Sequence, residues 1–389
     1  MRILYLAHDL DDSAIWRRAA MLRAGGASVQ AAGFRRREGP LPEPAILLGQ
    51  TADARMLQRA ASVARALAGL RHSLAEVQAP DVIIARNLEM LALAVRAKSF
   101  WPEALLVYEV LDIHRMMLGD GPRPRAMRAL ERRLMRRVGL VLTSSPGFVN
   151  EYFQPHGQTR VPIRIVENKC FYPEAALPAV PTRRPVAAPI TIGWFGILRC
   201  AWSLDCLDRV TRAAPGRYRV LLRGKPALDQ LPQFHATVAA NPDLDFGGPY
   251  RNPEDLADIY GQVHLSWLID RYDAGKNSDW LLPNRLYEGC RHHAVPVALA
   301  GTEVANFLGD YGLGLTIAAP DAEEVGRRLG ALSLAEVEAM RTAVAEVPTQ
   351  VWTTGPEECQ ELTGLMAQIA AARGRRRQAA MRRKGWFTT

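Results

Sequence analysis

The sequence has no run of roughly 18 apolar residues, the length at which a helix spans a bilayer, so a membrane-spanning protein is not expected. It has only five cysteines in 389 residues, at positions 170, 200, 206, 290 and 359. An odd, scattered set argues against a disulfide framework and matches free thiols in a reducing compartment. No G-x-G-x-x-G opens a strand–turn–helix unit, which disfavours a nicotinamide dehydrogenase, and no P-loop is present. Paired Cys/His at zinc spacing is missing too. Cys290, His292 and His293 stand without a second pair downstream, and packing roles are expected for them rather than a metal. Acids are outnumbered: 49 Lys+Arg against 40 Asp+Glu give a net charge of +9. The shortage is sharpest at the C-terminus, where RGRRRQAAMRRKGWFTT (373–389) holds no acid and contains Trp386 and Phe387. Such a segment suits an anionic membrane surface; the phosphates of a nucleic acid, or simple solvation, are the other readings of the same charge. MRILYLAHDL has too short an apolar run for a secretory leader, so a cytoplasmic location is expected.

What is present is alternation. Short apolar runs read as strands: MRILYLAH, ASVQAAGF, PDVIIAR, ALLVYEV, GLVLTSS and RIVENK in the first half. Helical patterns lie between them, the first at 13–25 with Ser13 as N-cap and Gly25-Gly26 as stop, another a basic stretch at 122–137. PEAALPAVPTRRPVAAP (173–189) has five prolines and no helical period, and reads as a linker. Strands then resume with ITIGWFG, YRVLLRG, LDFGG, VHLSWLI, AVPVALA and GLTIA. With 48% hydrophobic residues the chain can bury two to three cores. The expected architecture is α/β, two Rossmann-like doubly wound domains facing a central cleft: 1–172, linker 173–189, 190–354, then a helix 355–374 packing back toward the first domain and a basic tail 375–389. Ligands of such sheets bind beyond the carboxyl ends of the strands, so chemistry is sought in the loops there.

Six stretches carry candidates. In LLPNRLYEGC (281–290), Arg285 and Glu288 lie three residues apart where a loop becomes a helix. The pair reads either as an exposed ion pair of small worth or as an anion clamp, because a helix N-terminus offers unpaired N–H groups to phosphate. GWFGILR (193–199) supplies Gly196 and Arg199, and LLRGKP (221–226) supplies Arg223 and Lys225, both read as strand-end turns with a nearby cation. VYEVLDIHRMM (107–117) places Asp112 and His114 just past a strand; Asp112 is a candidate base or a helix cap, and His114 is a second candidate base because a free imidazole's pKa lies near neutrality. Asp9 after the first strand, and Asn87 and Glu89 after VIIAR, are polar groups at the same sheet end.

Two halves of this kind, with GWFG opening the second and NRLYEG…VPV near its end, resemble the GT-B glycosyltransferases of the family-4-like group. The stretch from MRILYLAHDLDD to AAGFRR is similar to glucosyltransferases of exopolysaccharide assembly. The resemblance covers most of the chain up to about residue 370. It implies a nucleotide-sugar donor, UDP-glucose above all, on the second domain, with Gly196, Arg199, Arg223, Lys225, Asn284, Arg285, Leu286 and Glu288 facing it. Within this set Arg285 would meet the diphosphate and Glu288 the ribose diol. It implies Asp112 as the base of an inverting transfer, with His114 as second choice, and Asp9, Asn87 and Glu89 toward a lipid-linked saccharide acceptor. No metal or other cofactor is expected, and nucleic acid is not the expected partner. The basic helix and tail would hold the protein peripherally at an anionic inner-membrane surface. A sugar-nucleotide epimerase of the same fold and a non-catalytic membrane adaptor are the alternatives.

Overall fold

The structure, a computed structural model, describes residues 1–51, 56–173, 180 and 185–383. Most of the expected linker, 173–189, lies outside the described residues, as does the end of the tail with Trp386 and Phe387. The chain divides into two compact units. The first is Met1–Ser144, Val149–Val166 and the C-terminal stretch from Gly355; the second is Ser145–Phe148 and Glu167–Thr354.

In the first unit seven strands form a parallel sheet: β1 (Arg2–Ala7), β2 (Ser28–Arg35), β3 (Ala45–Gln50), β4 (Val82–Arg86), β5 (Leu105–Val110), β6 (Leu140–Thr143) and β7 (Ile163–Ile165). Their order is β3-β2-β1-β4-β5-β6-β7. Central strands such as VIIAR are buried throughout, which is why they read as continuous apolar runs. β3 has no counterpart among the strands expected from sequence. It is an edge strand with Leu47 56% exposed, so its pattern lacks the apolar continuity of its neighbours. The helix Ser13–Ala24 is capped by Asp12, not Ser13: Asp12 has extended backbone, and its carboxylate accepts from the Ala14 N–H at 2.9 Å. The C-terminal helix runs through position 374 to Arg383, because Gly374 stands alone among strong helix formers and costs only about 1 kcal/mol. It is tied into this unit by Thr363 Oγ1 donating to Gly25 O (2.6 Å) and Arg373 to Val138 O (3.2 Å).

Beneath the carboxyl end of this sheet lies a buried polar cluster. Glu109 accepts from Arg18 Nε at 2.6 Å and from the Tyr5 hydroxyl at 2.5 Å, and Arg86 donates to the same hydroxyl at 3.0 Å. Burial alone would push the Glu109 carboxyl up, but the two guanidiniums prevail and hold it below the usual range. The cluster fixes the ends of β4 and β5, from which the polar loops of the site begin.

The second unit has six parallel strands: β8 (Ile190–Leu198), β9 (Tyr218–Pro226), β10 (Leu244–Phe246), β11 (Leu265–Trp267), β12 (Val295–Leu299) and β13 (Leu315–Ile317), in the order β10-β9-β8-β11-β12-β13. Trp194 and Trp267 fill its core. The turns expected at Gly196 and Gly224 are instead strand: β8 and β9 continue side by side, and Gly196 pairs with Gly224. Both adopt positive φ (102° and 130°), and a Cβ on Gly224 would strike the Gly196 carbonyl. The glycines therefore serve a close approach of two backbones rather than a reversal of the chain. Each unit has a point where strand order reverses, between β1 and β4 in the first and between β8 and β11 in the second, and crevices form at such points.

Candidate active site

In the second unit the helix Asn284–Arg291 packs on β11 and β12, next to the strand-order reversal. Pro283 stands at its N-cap in extended backbone, and its ring has no polar atom with which to cap the helix. Arg285 reaches back from the first turn and donates through Nη2 to Leu268 O at 3.0 Å, just past the end of β11. Its Nε is buried with no hydrogen-bond partner. A guanidinium anchored at one nitrogen and unsatisfied at another is a ready donor to an anion. One turn on, Glu288 is 4% exposed, and its Oε1 accepts from Asn252 Nδ2 at 2.7 Å. Burial pushes the phenol of nearby Tyr250 up, with the Glu288 charge adding to it; the Tyr250 ring leans on Phe195.

The other donor-side residues divide. Gly196 is open: a Cβ there would meet nothing within 4 Å. Lys225 is exposed. Arg199 is engaged, paired with Asp270 at 3.1 Å and lying over the Tyr272 ring. Arg223 is engaged as well, donating to Gly248 O and Pro249 O at 3.1 Å each. Asn284 opens the helix, half-buried. The Leu286 side chain is fully buried in the core and its N–H is taken by Pro283 O, so it seats the helix and offers a nucleotide no polar group. Asn252 and Asp270 are the residues that sequence reasoning missed; Asn252-Pro253 reads only as a helix start.

The histidines that follow pack. The His292 ring stacks on Tyr260 (5.5 Å, 11°), its Nδ1 lies 2.8 Å from Glu288 O, and Cys290 is buried beside it. Burial lowers His292 to about 4, and His264, whose Nδ1 accepts from the Thr191 N–H, also to about 4. The unfolded imidazoles take up protons near 6.5, so between these values the unfolded state binds more protons and stability falls as pH falls. The melting temperature is therefore expected to drop by roughly 5 °C or more from pH 7 to pH 5, and His292→Gln is expected to flatten that slope. An unchanged slope counts against a neutral buried His292.

In the first unit, Asn87, Glu89, Asp112 and His114 are brought together around one small cavity, about 60 Å³, whose wall also includes Tyr108 and Glu131. They come from the segments after β4 and after β5, with Asn87 the N-cap and Glu89 in the first turn of the helix Leu88–Ala97. Asn87 has a positive φ of 71° and donates its N–H to Glu109 O at 3.0 Å, which ties the end of β4 to β5. Asp112 is exposed, and the cap of the short helix Arg115–Met117 is His114, whose Nδ1 accepts from the Met116 N–H at 3.2 Å. Behind them Glu131 accepts from Tyr108, Tyr152 and Gln158, and burial pushes its carboxyl up. Asp9 is not part of this group. It pairs with Arg36 at 3.2 Å and accepts from the Asp11 N–H.

Residues 12–169 match the model of the glycosyl transferase 4-like domain. The chain is 44% identical over 379 residues to the succinoglycan biosynthesis protein ExoL of Rhizobium meliloti, covering 95% of this chain and 94% of that protein. The chain belongs to the glycosyl transferase 4-like family. Solved structures agree in fold. The sucrose-phosphate synthase of Thermosynechococcus elongatus overlays with a TM-score of 0.66 at 14% identity, over 98% of this chain and 99% of that one. Anabaena HepE, in complex with UDP, overlays with a TM-score of 0.62 at 13% identity, over 97% and 100%. This glycosyltransferase therefore has the GT-B fold of two Rossmann-like domains. Among its described residues no group of His, Cys, Asp and Glu is arranged to hold a metal ion, and no helix is long and apolar enough to cross a membrane.

Proposed function

We propose that this glycosyltransferase moves a hexose, most simply glucose, from a UDP-sugar to a lipid-linked saccharide in exopolysaccharide assembly, with inversion at the anomeric carbon. The observation that carries the donor half is Arg285, tethered to Leu268 O with its Nε unsatisfied, one turn from Glu288 on the same helix. The diphosphate meets Arg285 and the helix N-terminus, and the ribose diol meets Glu288. As the sugar leaves, charge grows on the diphosphate, and a fixed guanidinium stabilises that charge without rearranging. In the first unit Asp112 takes the proton of the acceptor hydroxyl, with Asn87 and Glu89 beside it to hold neighbouring hydroxyls. ExoL, by its name, serves succinoglycan biosynthesis, and HepE has been solved with UDP and glucose; both favour this substrate class.

A lipid-linked acceptor asks for a membrane surface. The helix Pro122–Met135 and the two residues after it expose Arg123, Arg125, Arg132, Arg133, Arg136 and Arg137, together with Leu130, while the one acid of that stretch, Glu131, is buried. That cationic face suits anionic headgroups at roughly 1 kcal/mol per residue close to the surface. One preparation tests both halves. UDP and UDP-glucose are expected to raise the melting temperature where GDP- and ADP-sugars do not, and the protein is expected to sediment with anionic vesicles and not neutral ones. Stabilisation by a GDP- or ADP-sugar alone overturns the donor assignment, and indifference to vesicle charge overturns the membrane assignment. Conversion of UDP-sugar without acceptor would mark an epimerase instead.

A further inference from the structure

We propose that Asn252 is a positioning residue for Glu288, fixing the carboxylate that receives the ribose of the nucleoside diphosphate. The proposal rests on the reading of Glu288 as the ribose acceptor and adds what makes that acceptor selective. Glu288 has three side-chain torsions, and any of them left unfixed costs rotamer entropy when a diol binds. Asn252 Nδ2, 2.7 Å from Oε1, fixes it beforehand. A neutral amide suits this role: it orients the oxygen by a hydrogen bond without bringing a further charge to the carboxylate, as a lysine or arginine would.

The loop that bears Asn252 is itself fastened on both sides. Upstream, Arg223 on β9 donates to Gly248 O and Pro249 O. Downstream, Asp255 accepts from the Arg251 N–H at 2.8 Å and from Arg251 Nη2 at 2.9 Å, closing a clasp around Asn252. The amide is thus delivered to a set position by two arginines that spend their donors on the loop. Arg223, an apparent phosphate ligand in the sequence, belongs to the support of this arrangement.

The test measures UDP and 2′-deoxy-UDP binding by calorimetry. The unaltered protein is expected to favour UDP by roughly tenfold or more, the worth of one hydrogen bond to a charged group. Asn252→Ala is expected to weaken UDP several-fold and leave 2′-deoxy-UDP nearly unchanged, collapsing the ratio. Asn252→Asp, which sets a second carboxylate against Glu288, is expected to weaken UDP further. Residue 252 is exposed, so Asn252→Ala is expected to melt with the unaltered protein, and its matched melting curve is the control. The same UDP to deoxy-UDP ratio in Asn252→Ala as in the unaltered protein overturns the proposal. Glu288→Gln separates the two levels. If it abolishes the ratio while Asn252→Ala does not, only the positioning role fails; if neither changes it, the ribose reading of Glu288 fails with it.

Discussion

Asp112→Asn is expected to lower kcat by about 10²–10⁴ while leaving UDP affinity unchanged, because a base removed from the first unit costs proton transfer and nothing of donor binding. The substitution is isosteric, so the cavity shared with Asn87, Glu89 and His114 keeps its shape. His114→Gln is the companion. His114 spends its Nδ1 on the Met116 N–H, which makes it a cap for the segment after β5, and its loss is expected to cost only a few-fold in kcat. Steady-state rates with a lipid-linked acceptor, alongside calorimetric UDP affinities, decide between the two. Near-normal kcat in Asp112→Asn sinks the assignment, and a large loss in His114→Gln transfers the role to the imidazole.

Arg285→Ala is expected to weaken UDP by roughly 10- to 100-fold and uridine hardly at all, since a hydrogen bond to a charged group is worth about 1.5–3 kcal/mol and uridine has no phosphate to receive it. Arg285→Lys is expected to fall between, because an ammonium keeps the charge and loses the planar fork that reaches Leu268 O and an anion together. Equal losses for UDP and uridine would mean that Arg285 shapes the pocket and does not meet the diphosphate.

Both residues are legible from local signals. Arg285 and Glu288 face the same way because a helix turns once every 3.6 residues, and that geometry follows from spacing alone. The end of the apolar run LLVYEV puts Asp112 just past a strand, again a local signal. The alternation of apolar strands with helices made the doubly wound class legible for the same reason: period and length are properties of neighbouring residues. The missed strand β3 marks the boundary of that method, since an edge strand needs too little burial to leave a pattern.

What the sequence determined by itself was the α/β class, the two successive sheets and the Arg285–Glu288 face. The tertiary structure decided which polar groups remain available. Arg199 and Arg223 look alike in sequence as cations beside glycines, but Asp270, 71 positions away, claims the first and the Gly248–Pro249 carbonyls claim the second. Gly196 and Gly224 became paired strand residues only through the register of β8 on β9. Glu288 acquired Asn252 from 36 positions upstream. Partner choice of this kind depends on which strand lies beside which and in what register, and no local period encodes it.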